Sequence, residues 1–484
     1  MKVLMLGAEA VPFAKVGGLA DVLGALIPTL REKYIDIRLF MPLYKSIKEG
    51  DIKLKKVMEL DDINMGDKSY KAFIYETLEP YPAYFVDGEL FDRPGVYTDP
   101  ETGQGYPDEP YRYIFFLKAV AKALPEIGFK PDVYHLNDSH TALWSAFLRL
   151  NLNNHPFYKD AHTLFTIHNI AYQGIWSPDI IQALGFGSDQ FYPTGPFEFY
   201  NKVNFLKVGI VYSDAVSTVS PTYAKEITES EEYGYGMEGL LRQKKDRLFG
   251  ILNGVDYSAW NPEKDKFIPH NYTSDNLESK EQNKIALLEQ FGLPASDKSK
   301  PLFGVVTRLA VQKGIELIYD IAPKIFEKGG NLVILGTGEK KYHELLSELA
   351  KKYPKNFMLA LKFDNATAHL IEAGSDFFLM PSLYEPCGLN QMYSLKYGTL
   401  PIVRKTGGLA DTIVDYTENP SSGNGFQFLE FTSDALLSAI ERAFKLYSTK
   451  SEFTKVVKRA MNQDFGWEKS ANEYIDLYSK IRSM

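Results

Sequence analysis

One stretch of this chain occurs twice: Lys15–Val22 reads KVGGLADV and Lys405–Thr412 reads KTGGLADT. In the first copy Gly17 and Gly18, and in the second Gly407 and Gly408, carry no Cβ, so backbone NH groups can come close to a ligand there, and a helix N-terminus just beyond favours an anion. A glycine pair also serves as a tight strand-to-helix turn. The repeat near each end predicts two sheet domains, each offering a glycine turn to a shared cleft. Between the copies lie Arg308 and Lys313, within RLAVQKG after an apolar strand. Two cations beside a helix start suit a nucleotide diphosphate, which Arg grips bidentately and Lys meets as a point charge. Glu385, in PSLYEPCGLNQ, places a carboxylate at another helix start, facing the cleft or capping the helix.

The elements that would position these residues alternate along the chain. Lys2–Gly7 is a short apolar run of the kind buried on both faces of a parallel sheet, and Leu19–Lys33 carries apolar residues at helical spacing. Ile37–Met41 is a second strand, Tyr70–Tyr75 and Ala83–Val86 read as shorter antiparallel pieces, and Phe91–Pro110 is a long loop before the helix Tyr111–Leu124. Strand Val133–Leu136 then delivers Asn137, Asp138, Ser139 and His140 to its C-terminal end, the functional rim of an open α/β sheet. Strand Thr163–Ile167 does the same for His168, Asn169 and the loop containing Tyr172 and Gln173. Helices near Pro178 and Asn201, strands Ala215–Thr218 and Leu248–Asn253, and the glycine-rich Gly234–Leu241 complete a first domain, 1–253. Periodicity is lost over 254–279, read as an interdomain linker. From 280 to 460 helix and strand alternate regularly, and 461–484 is a terminal helix expected to pack back on the first domain. The fold class is α/β, with two Rossmann-like doubly wound domains facing across a cleft.

At 484 residues the chain exceeds what one core usually supports. A net charge of -8 gives no general attraction for nucleic acid or an anionic membrane, so an anion site must be built locally. The single cysteine, Cys387, excludes a disulfide framework and fits a reducing compartment. No apolar stretch reaches the roughly 18 residues needed to span a bilayer, and the N-terminus reads as strand rather than signal. The expected location is cytoplasmic, or a plastid-like stroma after processing. No G-x-G-x-x-G follows a strand and there is no P-loop; Gly336–Glu339, GTGE, which includes Gly338, is a partial phosphate turn at most.

Eight collinear segments (KVGGLADV, HLNDSHTAL, TIHNIAYQG, GYGMEGLL, GILNGVDYSAWNP, RLAVQKG, SLYEPCGLNQMYSLKYGTLPIVRKTGGLADT and FGWEKSA) resemble bacterial glycogen synthase and plant starch synthase over nearly the whole chain. The resemblance implies a GT-B glucosyltransferase that moves glucose from ADP-glucose or UDP-glucose to the non-reducing 4-hydroxyl of an α-1,4-glucan, with retention. It implies that Lys15, Gly17 and Gly18 approach the donor from the first domain. Arg308 and Lys313 would neutralise the leaving diphosphate, with Gly338, Gly388, Thr406, Gly407 and Gly408 nearby. Glu385 would stabilise charge developing on the glucosyl ring, Phe363 would lie beside the base, and Cys387 belongs to the same EPCG turn, equally as a buried small residue. His168 and Asp138 would be catalytic and line the donor and acceptor side, with Ser139, His140, Asn169, Tyr172 and Gln173 also on the acceptor side. No Asp-x-Asp triplet is present to hold a divalent metal, so the reaction is expected to need neither metal nor cofactor, Arg and Lys standing in. Retention by a covalent intermediate or by front-face attack both remain open, the family favouring the latter. The chain departs from the family's Asp-Trp-His at Asp138-Ser139-His140, which puts acceptor affinity in doubt, and it carries a distinct TDPETGQGYPDEP segment. Alternatives are a GT-B enzyme with a small acceptor and an inactive glucan-binding paralogue.

Overall fold

The computed structural model describes residues 1–484. The chain divides into two compact units, the first made of residues 1–219, 224–253 and 467–484 and the second of 220–223 and 254–466.

The strands of the first unit are β1 (Lys2–Leu6), β2 (Asp36–Pro42), β3 (Lys55–Met65), β4 (Lys68–Thr77), β5 (Ala83–Asp87), β6 (Val133–Asn137), β7 (His162–Ile167), β8 (Ile175–Trp176), β9 (Glu198–Phe199), β10 (Lys202–Asn204), β11 (Ala215–Thr218) and β12 (Leu248–Gly250). Nine of them form one sheet in the order β12-β11-β7-β6-β1-β2-β5-β4-β3, while β8, β10 and β9 make a small separate one. From β12 to β5 every pair is parallel. Val3, Leu4, Met5 and Leu6 of central β1 are fully buried, which is why that strand is continuously apolar rather than alternating. The antiparallel β4 and β3 close one edge. Sequence reading missed β3: it is charged on both faces, mostly exposed and interrupted by register shifts near Lys56 and Leu60, so the period-two signal is absent. The helix expected near Asn201 starts instead at Phe205, after β10, because the Asn204 side chain caps it by accepting from the Lys207 NH at 2.9 Å.

The second unit holds β13 (Leu302–Val306), β14 (Asn331–Leu335), β15 (Phe357–Ala360), β16 (Phe377–Met380), β17 (Leu400–Arg404) and β18 (Phe426–Phe428), all parallel, in the order β15-β14-β13-β16-β17-β18. This is the doubly wound order in which the third, second and first strands precede the fourth, fifth and sixth, and its direction of growth reverses between β13 and β16. The first sheet reverses in the same way between β1 and β6. Residues 254–279, where periodicity is lost, pack on the second unit. Ile268 and Tyr272 enter its core, and the Asp265 carboxylate meets His369 Nδ1 at 2.7 Å and the Tyr397 hydroxyl at 2.6 Å. The Trp260 ring stacks on those of His369 and Tyr393, with centroids 3.8 and 4.1 Å away.

The last helix, Trp467–Ile481, belongs to the first unit. It buries Trp467, Ala471, Tyr474, Tyr478 and Ile481, a stripe at helical spacing. Buried His135 on β6 joins Tyr478 OH through Nδ1 at 2.7 Å and Thr166 Oγ1 through Nε2 at 2.6 Å. Burial pushes the His135 imidazole down to about 3 from its ordinary 6.5. The folded chain therefore binds this proton less readily than the unfolded chain. The resulting stability, complete above about pH 6.5, is lost as the pH falls toward 3, at up to about 1.4 kcal/mol per pH unit. Denaturant unfolding measured between about pH 7 and pH 4 should show a shallower acid slope for His135→Gln than for the wild type; equal slopes would rule this histidine out as a source of acid sensitivity.

Candidate active site

In the second unit, the residues singled out from sequence lie on loops that leave the C-terminal ends of adjacent strands. The loop after β13 carries Arg308 and Lys313, and that after β16 carries Glu385. Although these two loops are far apart in sequence, they meet because their strands flank the reversal point of the sheet. The Leu383 NH donates to the Gln312 carbonyl at 2.8 Å, and Gln312 Nε2 donates to the Tyr384 carbonyl at 3.1 Å. Gly314, at φ +67°, packs so closely on Pro381 that a Cβ there would lie 2.2 Å from its carbonyl oxygen. Glycine is required at that position for both reasons.

This interlocking sets Lys313 Nζ 2.7 Å from Glu385 Oε2, which also accepts from Ser382 Oγ at 2.9 Å. The side chains of Lys313 and Glu385 are only 19% and 9% exposed, so the pair is little screened by water. An ammonium has three N–H donors, and one on Glu385 leaves two for a second anion. Both residues line a small recess with Thr307, Gly388 and Asn390. Arg308 stands exposed on the rim, and Phe363, after β15, is 85% exposed and presents an aromatic face to solvent.

The glycines of the second repeat act differently from expectation. The Gly408 NH is already bonded to the carbonyls of Glu385 and Pro386, at 3.2 and 3.1 Å, so it is not offered to a ligand. A Cβ on Gly407 would sit 1.9 Å from the Glu385 oxygen and one on Gly408 2.0 Å from the Cys387 oxygen. The pair is glycine because the EPC backbone passes against it. Cys387 is buried there, the Thr406 carbonyl accepts the NH groups of Leu409 and Ala410, and Gly388 takes φ +70°. The Gly338 NH is likewise committed, to His343 Nε2 at 3.2 Å, and its missing Cβ makes room for the Leu309 carbonyl.

In the first unit the reversal point brings the loop after β1 beside the loop after β6. Lys15 Nζ, exposed, is paired with Asp21 Oδ1 at 2.7 Å. The NH groups of Val16 and Gly17 both donate to Glu9 Oε2, at 2.5 and 2.9 Å, so the Gly17 NH too is taken; Gly18 is exposed. Asp138, at φ 56° and ψ -178°, holds a sparsely populated conformation, and its Oδ1 accepts the His168 NH at 2.8 Å. Asn137 Nδ2 donates to the Leu6 carbonyl at 2.9 Å, which turns its Oδ1 toward His168 Nε2, also 2.9 Å away. Burial lowers the His168 pKa, opposed by the charge of Asp138. The imidazole is therefore neutral at pH 7 with its hydrogen on Nε2, and Nδ1 keeps the lone pair that can accept from a hydroxyl.

Of the expected acceptor-side residues, Tyr172 is 53% exposed. Ser139 is buried, its Cβ 3.0 Å from where a Cβ on Gly174 would stand. Asn169 Oδ1 closes a turn on the Ala171 NH, while Gln173 ties the Tyr235 carbonyl to Asn204. His140 stacks on Tyr97 with centroids 4.9 Å apart and reaches Glu109 at 3.4 Å. Sequence reading overlooked Glu9, Gln312 and Ser382. Glu9 did carry a signal, being a carboxylate set directly after the first buried strand. No group of three or more His, Cys, Asp or Glu side chains is arranged to hold a metal ion, and no helix is long and apolar enough to cross a membrane.

Residues 2–243 match the model for the starch synthase catalytic domain and residues 289–460 that for glycosyl transferases group 1. The chain is 42% identical to a glycogen synthase of Syntrophotalea carbinolica over 482 residues, covering 99% of each chain. It is 43% identical to a glycogen synthase of Thermosipho melanesiensis over 488 residues, covering 100% of this chain and 99% of the relative. The solved catalytic domain of starch synthase IV from Arabidopsis thaliana, bound to ADP and acarbose, superposes with a TM-score of 0.91 at 33% identity, covering 100% of this chain and 99% of that one. A sucrose-phosphate synthase from Thermosynechococcus elongatus, 17% identical with a TM-score of 0.60, shares the fold. With two α/β units, a cation-carboxylate pair at the reversal point of the second sheet and relatives of this identity along its whole length, the chain belongs to the glycogen and starch synthase family of two-domain GT-B glycosyltransferases.

Proposed function

We propose that this chain transfers glucose from ADP-glucose to the non-reducing 4-hydroxyl of an α-1,4-glucan with retention of configuration and without a metal. The observation that carries the reading is the Lys313–Glu385 pair, which sets a cation for a diphosphate and an anion for a glucosyl ring side by side. Lys313 has two N–H donors left after Glu385, and Arg308 adds a bidentate grip; together they provide the countercharge that a departing diphosphate needs in a site short of water. The family resemblance gives Lys15 a donor role as well. The ADP assignment draws on the ADP named with the starch synthase IV structure. Phe363 supplies the ring against which a base would stack, and Tyr172 an exposed aromatic for the glucan.

A glutamate already bonded to an ammonium and a hydroxyl is a poor nucleophile, which favours front-face attack over a covalent intermediate. In that step the bond from C1 to the phosphate oxygen breaks as the acceptor O4 bonds to C1 on the same face, and the O4 proton passes to the leaving phosphate. Glu385 stabilises the positive charge on the ring meanwhile. His168 Nδ1 accepts from a hydroxyl of the transferred glucose and Asp138 holds the His168 loop in place.

Arg308→Ala should lower kcat about a hundredfold or more while changing donor Kd far less, since its partner gains charge only as the bond breaks. Turnover should survive exhaustive chelation. Loss of activity on chelation, restored by magnesium or manganese, would sink the metal-free mechanism. Among donors tested on glycogen, ADP-glucose should outpace UDP-glucose, and the reverse order would overturn the donor assignment. Failure to extend maltooligosaccharides with any donor would favour the small-acceptor or inactive alternatives.

The Lys313–Glu385 pair makes a separate prediction. Lys313→Ala strands a buried carboxylate and should cost on the order of 3 kcal/mol in stability as well as turnover. Glu385→Gln keeps acceptor and donor atoms in place but leaves the Lys313 ammonium, 19% exposed, without its counter-ion, so it should lower the melting temperature less than Lys313→Ala does while kcat collapses. The double variant should regain stability but not activity; if it regains both, the pair is merely structural.

A further inference from the structure

The carboxylate of Glu9 does a task that neither the family resemblance nor the donor chemistry above assigns. It follows β1 and is 4% exposed, in contrast to the turn it faces, where Val16 is 57% exposed. One of its oxygens, Oε2, takes two backbone NH groups, those of Val16 and Gly17, directly ahead of the helix Gly18–Glu32. A helix start of this kind would attract an anion from solution, but here the chain's own carboxylate is already in that place. The turn from Val11 to Gly17 has no regular structure, and besides Glu9 it is tied by the Val11 NH on the Ala20 carbonyl and by the Phe13 and Ala14 NH groups on the Ala10 carbonyl. None of those bonds holds Val16 or Gly17. Hydrogen bonds to a carboxylate are about twice as strong as neutral ones, so Glu9 is the principal restraint on the residues next to Lys15.

Glu9 also faces the opposite loop. Burial raises the Glu9 carboxyl above its ordinary range, and the Gly17 and Val16 NH groups, the nearby Tyr97 hydroxyl and the His140 ring oppose that rise. Tyr97 stacks on His140, the third residue of the Asp138-Ser139-His140 run. One carboxylate thus bonds the Lys15 turn on one side and faces, on the other, the Tyr97–His140 stack at the start of the helix Ser139–Ala146.

We infer that Glu9 is a positioning residue for glucosyl transfer: it fixes the Lys15–Gly17 turn in one conformation and so sets the point from which Lys15 meets the donor. The inference rests on the reading that Lys15 serves the donor diphosphate.

The test combines hydrogen exchange with kinetics on the full-length chain, using ADP-glucose, UDP-glucose and maltoheptaose. In Glu9→Ala, amides of the Val11–Gly17 segment should exchange faster while the rest of the chain keeps its protection. The KM for the preferred nucleotide-glucose should rise about tenfold, the loss of a charge-assisted hydrogen bond, with the KM for maltoheptaose within about twofold. Glu9→Gln, which keeps an acceptor oxygen of the same reach, should recover most of both effects, and it carries the test alone, through a rise of about threefold in donor KM, if the alanine variant does not fold. Unchanged exchange in the turn, or equal shifts in both KM values, would overturn the inference. Lys15→Ala separates the two readings. If it raises donor KM and Glu9→Ala does not, Glu9 has no positioning role. If Lys15→Ala has wild-type donor kinetics, the donor reading of Lys15 falls, and this role of Glu9 with it.

Discussion

A parallel sheet sends the C-terminal ends of all its strands to one edge, and where its direction of growth reverses the loops on either side diverge and leave a recess. Both units obey this constraint. In the second sheet the reversal lies between β13 and β16, and it alone brings Lys313 to Glu385 across a large separation in sequence. In the first it lies between β1 and β6, which sets the loop that carries Lys15 next to the loop that carries Asp138. The candidate groups are where they are because of strand order, and the local sequence then decides what each loop presents.

What the loops present is mostly side chain. The paired glycines look like anion cradles, yet the Gly17 NH is bound to Glu9 and the Gly408 NH to Glu385 and Pro386. The two copies of one motif are satisfied by different partners, a carboxylate in the first unit and peptide carbonyls in the second. Glycine is needed at 407 and 408 for backbone-to-backbone contact, and at 17 a Cβ would lie 3.5 Å from the Glu9 carboxylate, an ordinary contact distance. With the Gly17 and Gly408 amides committed, the side chains are the groups these loops have left to present to an anion. Lys15 is paired with Asp21 and Lys313 with Glu385, each at 2.7 Å.

The legible part of this molecule was what periodicity and motif spacing encode. The apolar runs of β1 and β13, the helix Trp467–Ile481 and the polar residues after β6 and β7 were each readable because burial on two faces or one stripe leaves a compositional trace. Arg308, Lys313, Glu385 and His168 stood out as charged or titratable residues at strand ends. Contacts between distant loops leave no such trace: nothing about Gln312, Ser382 or Gly408 in isolation reveals that each bonds the segment Leu383–Pro386. The edge strand β3 escaped because solvent on both faces removes the alternation that marks a strand. Glu9 escaped for a different reason, since a lone carboxylate near the N-terminus is usually solvated, and only the path of the chain from Val11 to Gly17 folds two amides onto it.

The helix Trp467–Ile481 has a consequence for biosynthesis. The first unit is assembled from three stretches of chain, and the last of them is made only after the whole of the second unit. While translation proceeds, the face of the first unit around His135 and the Leu252 carbonyl has no partner, because Tyr478 and Ser470 have not yet been made. The second unit can therefore close its core while the ribosome is still at work, whereas the first must wait, with an apolar surface shaped for Trp467, Tyr474 and Ile481 left open to water and to chaperones until that helix has been made.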